Sequence, residues 1–179
     1  MDMIEVIKTR RSVRAYSPRP VPADVLDRVL EAARLAPSAN NAQPWRFVVV
    51  KDAHTRREMA RLCCEQTFIA EAPVAIACVG KRYVDGWSWL ADNMYLVDCT
   101  IALDHLILAA RNEGLGTCWI GAFNADQHAA LKKLLEVPAG YDLVLITPLG
   151  YPKHEGAFHE RTHRQSRSDM VSFDRFGHA

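Results

Sequence analysis

The sequence predicts an α+β or α/β sandwich around one sheet, and three observations carry that prediction. Segments of helical period and short apolar runs follow one another as helix, helix, strand, helix, strand, helix, strand, helix, strand, an order that lays helices on a sheet. The run APVAIACVG is apolar along its whole length, as in a buried strand. The stretch from about 89 to 113 is apolar on more than one face, which describes a helix buried nearly all round. At 179 residues, 49% of them hydrophobic, the chain fits one domain spanning 1–179 with enough apolar material for a sizeable core.

Residues 3 to 11 read as a short helix with Ile4 and Ile7 inward, ending in the basic run KTRRSVR. Pro18, Pro20 and Pro22 then break regular structure. Pro22 also suits the first turn of the next helix, where its missing N–H costs nothing. Val25, Leu26, Val29, Leu30 and Ala33 follow at helical spacing until Pro37 stops the pattern. The loop PSANNAQPW leads into the strand RFVVV, and Asp52 can cap the polar helix after it. Beyond the strand APVAIACVG comes the long helix, closed by Gly114. TCWIGAF reads as a strand, DQHAALKKLLE as a helix and YDLVLITPLGYP as the last core strand.

Residues 152 to 169 are polar and aperiodic and bury too little to fold by themselves. They are either disordered or an arm on another surface, and the apolar residues of MVSFDRF favour the arm. An arm at 152–179 beside an over-buried helix predicts a homodimer whose partner supplies the missing surface.

Charge excludes several classes. Lys and Arg number 22 against 21 Asp and Glu, so no global field draws the chain to nucleic acid or a membrane. No apolar run approaches the roughly 18 residues of a spanning helix, and MDMIEVIKTRR lacks the apolar core of a signal peptide. Five cysteines without a C-x-x-C read as small core residues of a reduced, cytoplasmic chain.

Two clusters point to chemistry. Lys8, Arg10, Arg11 and Arg14 are interleaved with Thr9 and Ser12. Arginine forks match phosphate oxygens, and a serine hydroxyl adds a donor. The same residues also suit a helix C-terminus, where cations meet the dipole. Pro37, Ser38, Asn40, Asn41, Gln43, Pro44 and Trp45 form a proline-fixed loop of amphoteric side chains, such as the edge of a flavin or nucleobase requires; turn building is the plainer alternative. Around TCWIG, Gly114 caps a helix, Gly116 loosens the connection, and Gly121 could let the backbone approach a ligand. Phosphate-loop and Rossmann glycine fingerprints do not occur.

His159-Glu160-Arg161-Thr162-His163 is a literal H-E-x-x-H, but it lies in the polar arm without helical period, so no metal is assigned. His105, inside the long helix, reads as a satisfied core histidine. Phe68, Tyr83, Trp87 and Trp89 could stack on a planar substrate, although core packing is the commoner use of such residues.

Three separated segments resemble the nitroreductase family: Arg-Arg-Ser-Val-Arg, then Pro-Ser-x-x-Asn-x-Gln-Pro-Trp, then Gly-Leu-Gly-Thr-Cys-Trp-Ile-Gly-Ala-Phe. Pro148-Leu149-Gly150-Tyr151-Pro152 and the arginine-containing tail are similar too. The resemblance implies an α+β sandwich with a central, mostly antiparallel sheet flanked by helices. It implies a C-terminal arm exchanged in a homodimer with two FMN sites. Arg10, Arg11, Ser12 and Arg14 would meet the phosphate and ribityl end. Pro37, Ser38 and Asn41 would come from the partner subunit, and Ile120, Gly121 and Ala122 would offer backbone N–H groups to the flavin. Arg164 matches the tail arginine that returns to the phosphate, with Arg161 and Arg167 nearby.

The implied activity is ping-pong reduction of nitroaromatics, quinones or similar small planar acceptors by NADH or NADPH. The cofactor carries the chemistry, so no acid–base residue is named. A flavin-binding sensor or carrier without turnover, and a dehalogenating or flavin-modifying member of the same fold, are the alternatives.

Overall fold

A computed structural model describes residues 1–83, 93–160 and 163–177. Among these residues seven α-helices and a four-stranded sheet follow in chain order: α1 (Met3–Thr9), α2 (Ala23–Arg34), β1 (Trp45–Val50), α3 (Ala53–Leu62), α4 (Phe68–Glu71), β2 (Val74–Lys81), α5 (Met94–Asn112), β3 (Gly116–Thr117), α6 (Ala125–Leu134), β4 (Tyr141–Gly150) and α7 (Arg167–Met170). The strands lie in the order β1-β2-β4-β3, every neighbouring pair antiparallel. This is the α+β sandwich expected.

The central strand β2 explains the layering. Val74, Ile76 and Cys78 point into one core with α2 and α5, whereas Ala75, Ala77 and Val79 point into a second with α3, α4 and α6. A strand covered on both faces has no polar side to alternate with, so its apolar run is unbroken. β1 divides in the same way, with Phe47 and Val49 on the first face and Val48 and Val50 on the second.

Local signals behave as their chemistry dictates. Asp52 accepts the Thr55 N–H at 2.7 Å and caps α3. Asn124 and Gln127 close a reciprocal capping box on α6. Gly114 takes φ +76° after α5, and Leu115 N–H reaches back to the Ala110 carbonyl at 2.8 Å, ending the helix as a left-handed glycine does.

Several expectations need correction, among them the reading of all five cysteines as core residues, since Cys64 is exposed. In α1 the inward residues are Val6 and Thr9, while Ile4 and Ile7 stay exposed; a two-turn surface helix is oriented by its contact with α5, not by its own composition. Pro22 precedes the second helix as its N-cap rather than sitting in its first turn. Helix α5 buries only one side in this chain: Val97 is exposed, and Ile101 and Leu108 are half-covered. Its predicted start near Trp89 lies outside the described residues. His105 is accordingly half-buried beside Met1, Met3, Leu35 and Leu108 rather than within the core. Of TCWIGAF only Thr117 enters a strand, the two-residue β3, and Ile120 adds one bridge to Ile146.

Gly116 does the opposite of loosening. A Cβ there would lie 2.7 Å from both Cβ and Cγ2 of Val13; the missing side chain is what lets Ser12 and Val13 lie against β3.

Candidate functional site

The chain leaves α1 at Arg10 and runs extended along the β3 edge. Val13 N–H donates to the Thr117 carbonyl at 2.8 Å, and Ser12 pairs with Thr117 as a parallel bridge. Farther along, Ser17 N–H donates to Tyr151 and Lys153 N–H to Ala15, at 2.9 and 3.0 Å. This strip forms one wall of a cleft of about 580 Å³, lined by Arg11, Ser12 and Arg14 and, across from them, His154, Gly156 and His159.

The four basic-cluster residues divide by role. Arg11 is buried and folds back, donating to the Lys8 and Arg10 carbonyls at 3.1 and 2.6 Å, which serves the end of α1. Arg14 is exposed and Arg10 half-exposed. Both reach the surroundings of Cys118: burial lifts that thiol above its ordinary value, while Arg14, a hydrogen bond with Ser12, and Arg10 pull it back. Ser12 meets Cys118 at the floor of the strip; Ser12 and Arg14 line the cleft, and Arg10 precedes them on the same extended segment. A cationic fork with a hydroxyl between its arms, opening on a cleft of this size, is able to hold a phosphate monoester. Ile120 to Ala122 continue from the same floor. Ile120 exchanges both backbone hydrogen bonds with Ile146, and Gly121 and Ala122 are exposed beyond it.

The second cluster stands elsewhere. Ser38 Oγ accepts Gln43 N–H at 2.9 Å, and Gln43 Nε2 donates to Asn41 Oδ1 at 3.0 Å. Asn40, Asn41 and Gln43 take φ of 49°, 53° and 46°, a tight left-handed winding that asparagine tolerates better than most residues. Pro37 and Asn41 are exposed and Ser38 half-buried. The loop enters β1 at Trp45, level with Gly80 and, across β2, with Asp142. The arginine strip lies beyond the opposite edge strand, where Thr117 is level with Leu149. Four strand spacings and the length of β4 from Asp142 to Leu149 separate the two, roughly 30 Å along the diagonal. Within one chain they cannot touch the same small molecule.

Phe68 is core, and Tyr83 binds Asp98; Trp87, Trp89, Arg161, Thr162 and His178 lie outside the described residues. Arg164 is exposed on the arm, and Arg167 opens its one-turn helix. His159 lies in the cleft, with Nδ1 3.3 Å from the Gly156 carbonyl. Among the described residues no group of three or more metal-ligating side chains comes together, and no helix is long and apolar enough to cross a membrane.

Sequence reasoning missed two buried carboxylates. Asp98 is 2% exposed; its Oδ1 accepts Ala39 N–H at 3.1 Å and its Oδ2 accepts the Tyr83 hydroxyl at 2.6 Å. Asp142 accepts from Lys132 at 2.9 Å, Tyr95 at 3.0 Å and Arg82. The available signal was an acid on an otherwise apolar stripe or strand.

A family model described as the nitroreductase family matches residues 7–94 and 90–151. A protein of Archaeoglobus fulgidus named as an NADH dehydrogenase/NAD(P)H nitroreductase is 34% identical over 164 residues, covering 91% of this chain and 92% of its own. The iodotyrosine deiodinase of Thermotoga neapolitana is 28% identical, covering 84% of this chain and 88% of its own. The solved structure of an FMN-dependent nitroreductase from Clostridium difficile superposes with a TM-score of 0.82 at 27% identity, covering 97% of this chain and 99% of that one. A structure from Clostridium novyi, described by the same family, gives 0.79 at 29% identity, with 100% and 97% covered.

Proposed function

We propose that this chain, which belongs to the nitroreductase family, is an FMN-dependent NAD(P)H oxidoreductase that works as a homodimer with two shared flavin sites. One observation carries the shared site: the arginine strip and the Ser38–Gln43 loop stand at opposite corners of the sheet. A second copy related by a twofold axis brings the loop of each chain to the strip of the other. Surface left over in one copy supports the pairing. Met3, Ile4, Ile7, Leu35 and Val97 are exposed on α1, just past the end of α2 and on α5, and the arm presents Met170, Phe173 and Phe176 to solvent. Large exposed apolar patches of this kind mark interfaces.

In this reading Arg10, Ser12 and Arg14 hold the FMN phosphate, with Arg11 fixing the end of the helix beside them and Arg164 of the arm adding a cation. Pro37, Ser38 and Asn41 of the other copy line the ring. The backbone at Gly121 and Ala122 faces its polar edge, whereas Ile120, expected to offer its amide too, is buried with its N–H already given to Ile146. FMN, when bound, supplies the two-electron chemistry between NADH or NADPH and an oxidised acceptor, the two using one site in turn. The chain's own part is to bind, to orient and to offer amide donors where negative charge accumulates. Planar nitroaromatics and quinones are the substrate class that an open stacking surface selects.

The likeness to the Thermotoga neapolitana deiodinase favours reductive dehalogenation of an aromatic as a second reading. Purified protein should be yellow, bleach with NADH or NADPH under argon, and recover on adding a nitroaromatic or quinone. Recovery by a halogenated phenol but by neither of those acceptors would select the second reading. A flavin that never bleaches would leave a binding module without turnover. Protein that stays colourless and takes up no FMN would refute all three.

A further inference from the structure

We infer that Asp98 is a positioning residue that fixes the Ser38–Gln43 loop for its contact with the flavin; this rests on the proposed FMN reading. Asp98 lies on the buried face of α5 with Tyr95, Cys99 and Ala102. A carboxylate there costs free energy unless hydrogen bonds satisfy it. Among the described residues its partners are the Ala39 amide and the Tyr83 phenol, one on the loop and one just past the end of β2. Both partners are neutral, so the carboxylate supplies directional acceptors rather than an ion pair.

The loop needs such a tie. Three of its residues hold left-handed backbone angles, conformations that persist where the surroundings over-determine them. Gln43 to Ser38 and Gln43 to Asn41 are internal and set its shape; a 3.4 Å bond from Arg46 to the Gln43 carbonyl ties its far end to β1, which leaves the Ala39 end to Asp98. The Ala39–Asp98 bond joins that shape to the rigid helix across 59 residues of sequence. Tyr83 holds the second oxygen and so fixes the rotation of the carboxylate that Ala39 meets. Ser38 and Asn41 flank the anchored amide on the chain, so a loop set free at Ala39 loses its register toward a ligand even if it stays wound.

The test uses full-length protein with FMN as the probe and the variants D98N, D98A and Y83F. In the flavin-free protein, hydrogen exchange at residues 39–43 should quicken at least tenfold in D98N and D98A, with β2 and β4 amides unchanged. The FMN dissociation constant, read by flavin fluorescence, should rise at least tenfold in both, and Y83F should show the same changes at a smaller scale. Acceptor turnover should fall more than the NAD(P)H KM rises. If D98A does not fold, D98N and Y83F decide. A wild type that binds FMN while D98N and Y83F match it within twofold in both loop exchange and FMN binding overturns the inference alone. A wild type that takes up no FMN overturns the flavin reading and the inference with it. Variants that melt earlier but keep loop exchange and FMN affinity make Asp98 merely structural, which also overturns the inference.

Discussion

Replacing Gly116 by alanine tests how the arginine strip is held. The new Cβ would stand 2.7, 2.7 and 2.9 Å from Cβ, Cγ2 and Cγ1 of Val13, against the roughly 3.5 Å and more of ordinary carbon contact. Val13 is itself 6% exposed and hydrogen-bonded to Thr117, so it cannot turn aside; it must move by about 0.7 Å, and β3 or the strip moves with it. Overpacking of this size costs about 1–3 kcal/mol, or about 3–10 °C in Tm for a chain of this length. The displaced residues on either side of Val13 are Ser12 and Arg14, so FMN affinity should fall several-fold as well. V13A removes both Cγ contacts and leaves only the Cβ. The penalty of G116A should therefore shrink by at least half in the V13A background, a coupling of about 0.5–2 kcal/mol. Thermal and urea unfolding of the four proteins without flavin reads it directly. Additivity within about 0.5 kcal/mol, or a G116A Tm within a degree of wild type, would show that the strip is not held by this contact.

R14A should weaken FMN binding about 10- to 100-fold, the value of one or two charged hydrogen bonds. R14K should fall between, because an ammonium cannot match two phosphate oxygens at once; an unchanged constant would move the clamp elsewhere. Burial raises the Asp142 carboxyl, but hydrogen bonds from Lys132, Arg82 and Tyr95 outweigh it and hold the pKa at about 2 against the ordinary 3.8. A depressed carboxylate stabilises the fold above pH 3.8 and loses that contribution as the pH falls toward 2, about 2 kcal/mol in all. The urea stability gap between wild type and D142N should narrow by that amount from pH 5 to pH 2, and a constant gap would refute the linkage. Ending the chain at residue 165 removes Met170, Phe173 and Phe176. Sedimentation should then show a shift from dimer to monomer with loss of bound FMN, and an intact dimer would remove the arm from the interface.

The fold was largely legible because its signals are local or periodic. Val25, Leu26, Val29 and Ala33 repeat at 3.6 residues and all four are buried. The unbroken run of β2 meant a strand with two covered faces, and Asp52 and Gly114 sit where capping chemistry requires. The errors at α1 and α5 share one cause. Ile4, Ile7 and the outward side of α5 are as apolar as core residues, and nothing in one chain's pattern separates apolar surface reserved for another surface from apolar surface kept for itself. The TCWIGAF segment is irregular after Thr117 because Cys118 N–H turns to the Thr147 hydroxyl at 3.1 Å instead of continuing the ladder. The arginine and loop clusters were readable as residue types with the right donors and acceptors. Their placement at opposite corners was not, since it depends on the strand order. Asp98 carries no motif; a lone acid on an apolar stripe becomes meaningful only when Ala39 and Tyr83 are seen around it.

The diagonal separation of the two clusters also bears on how damage would be inherited. In the proposed dimer each site takes its strip from one copy and its loop from the other, so a lesion in either cluster silences both sites of a pure variant. Two such variants, one broken in the strip and one in the loop, should rescue each other when mixed: every mixed dimer unites both lesions in one site and leaves the other whole. With free exchange at equal amounts, about a quarter of all sites would be intact. In such a dimer catalysis would be a property of concentration, because dilution below the dimer constant would take every site apart.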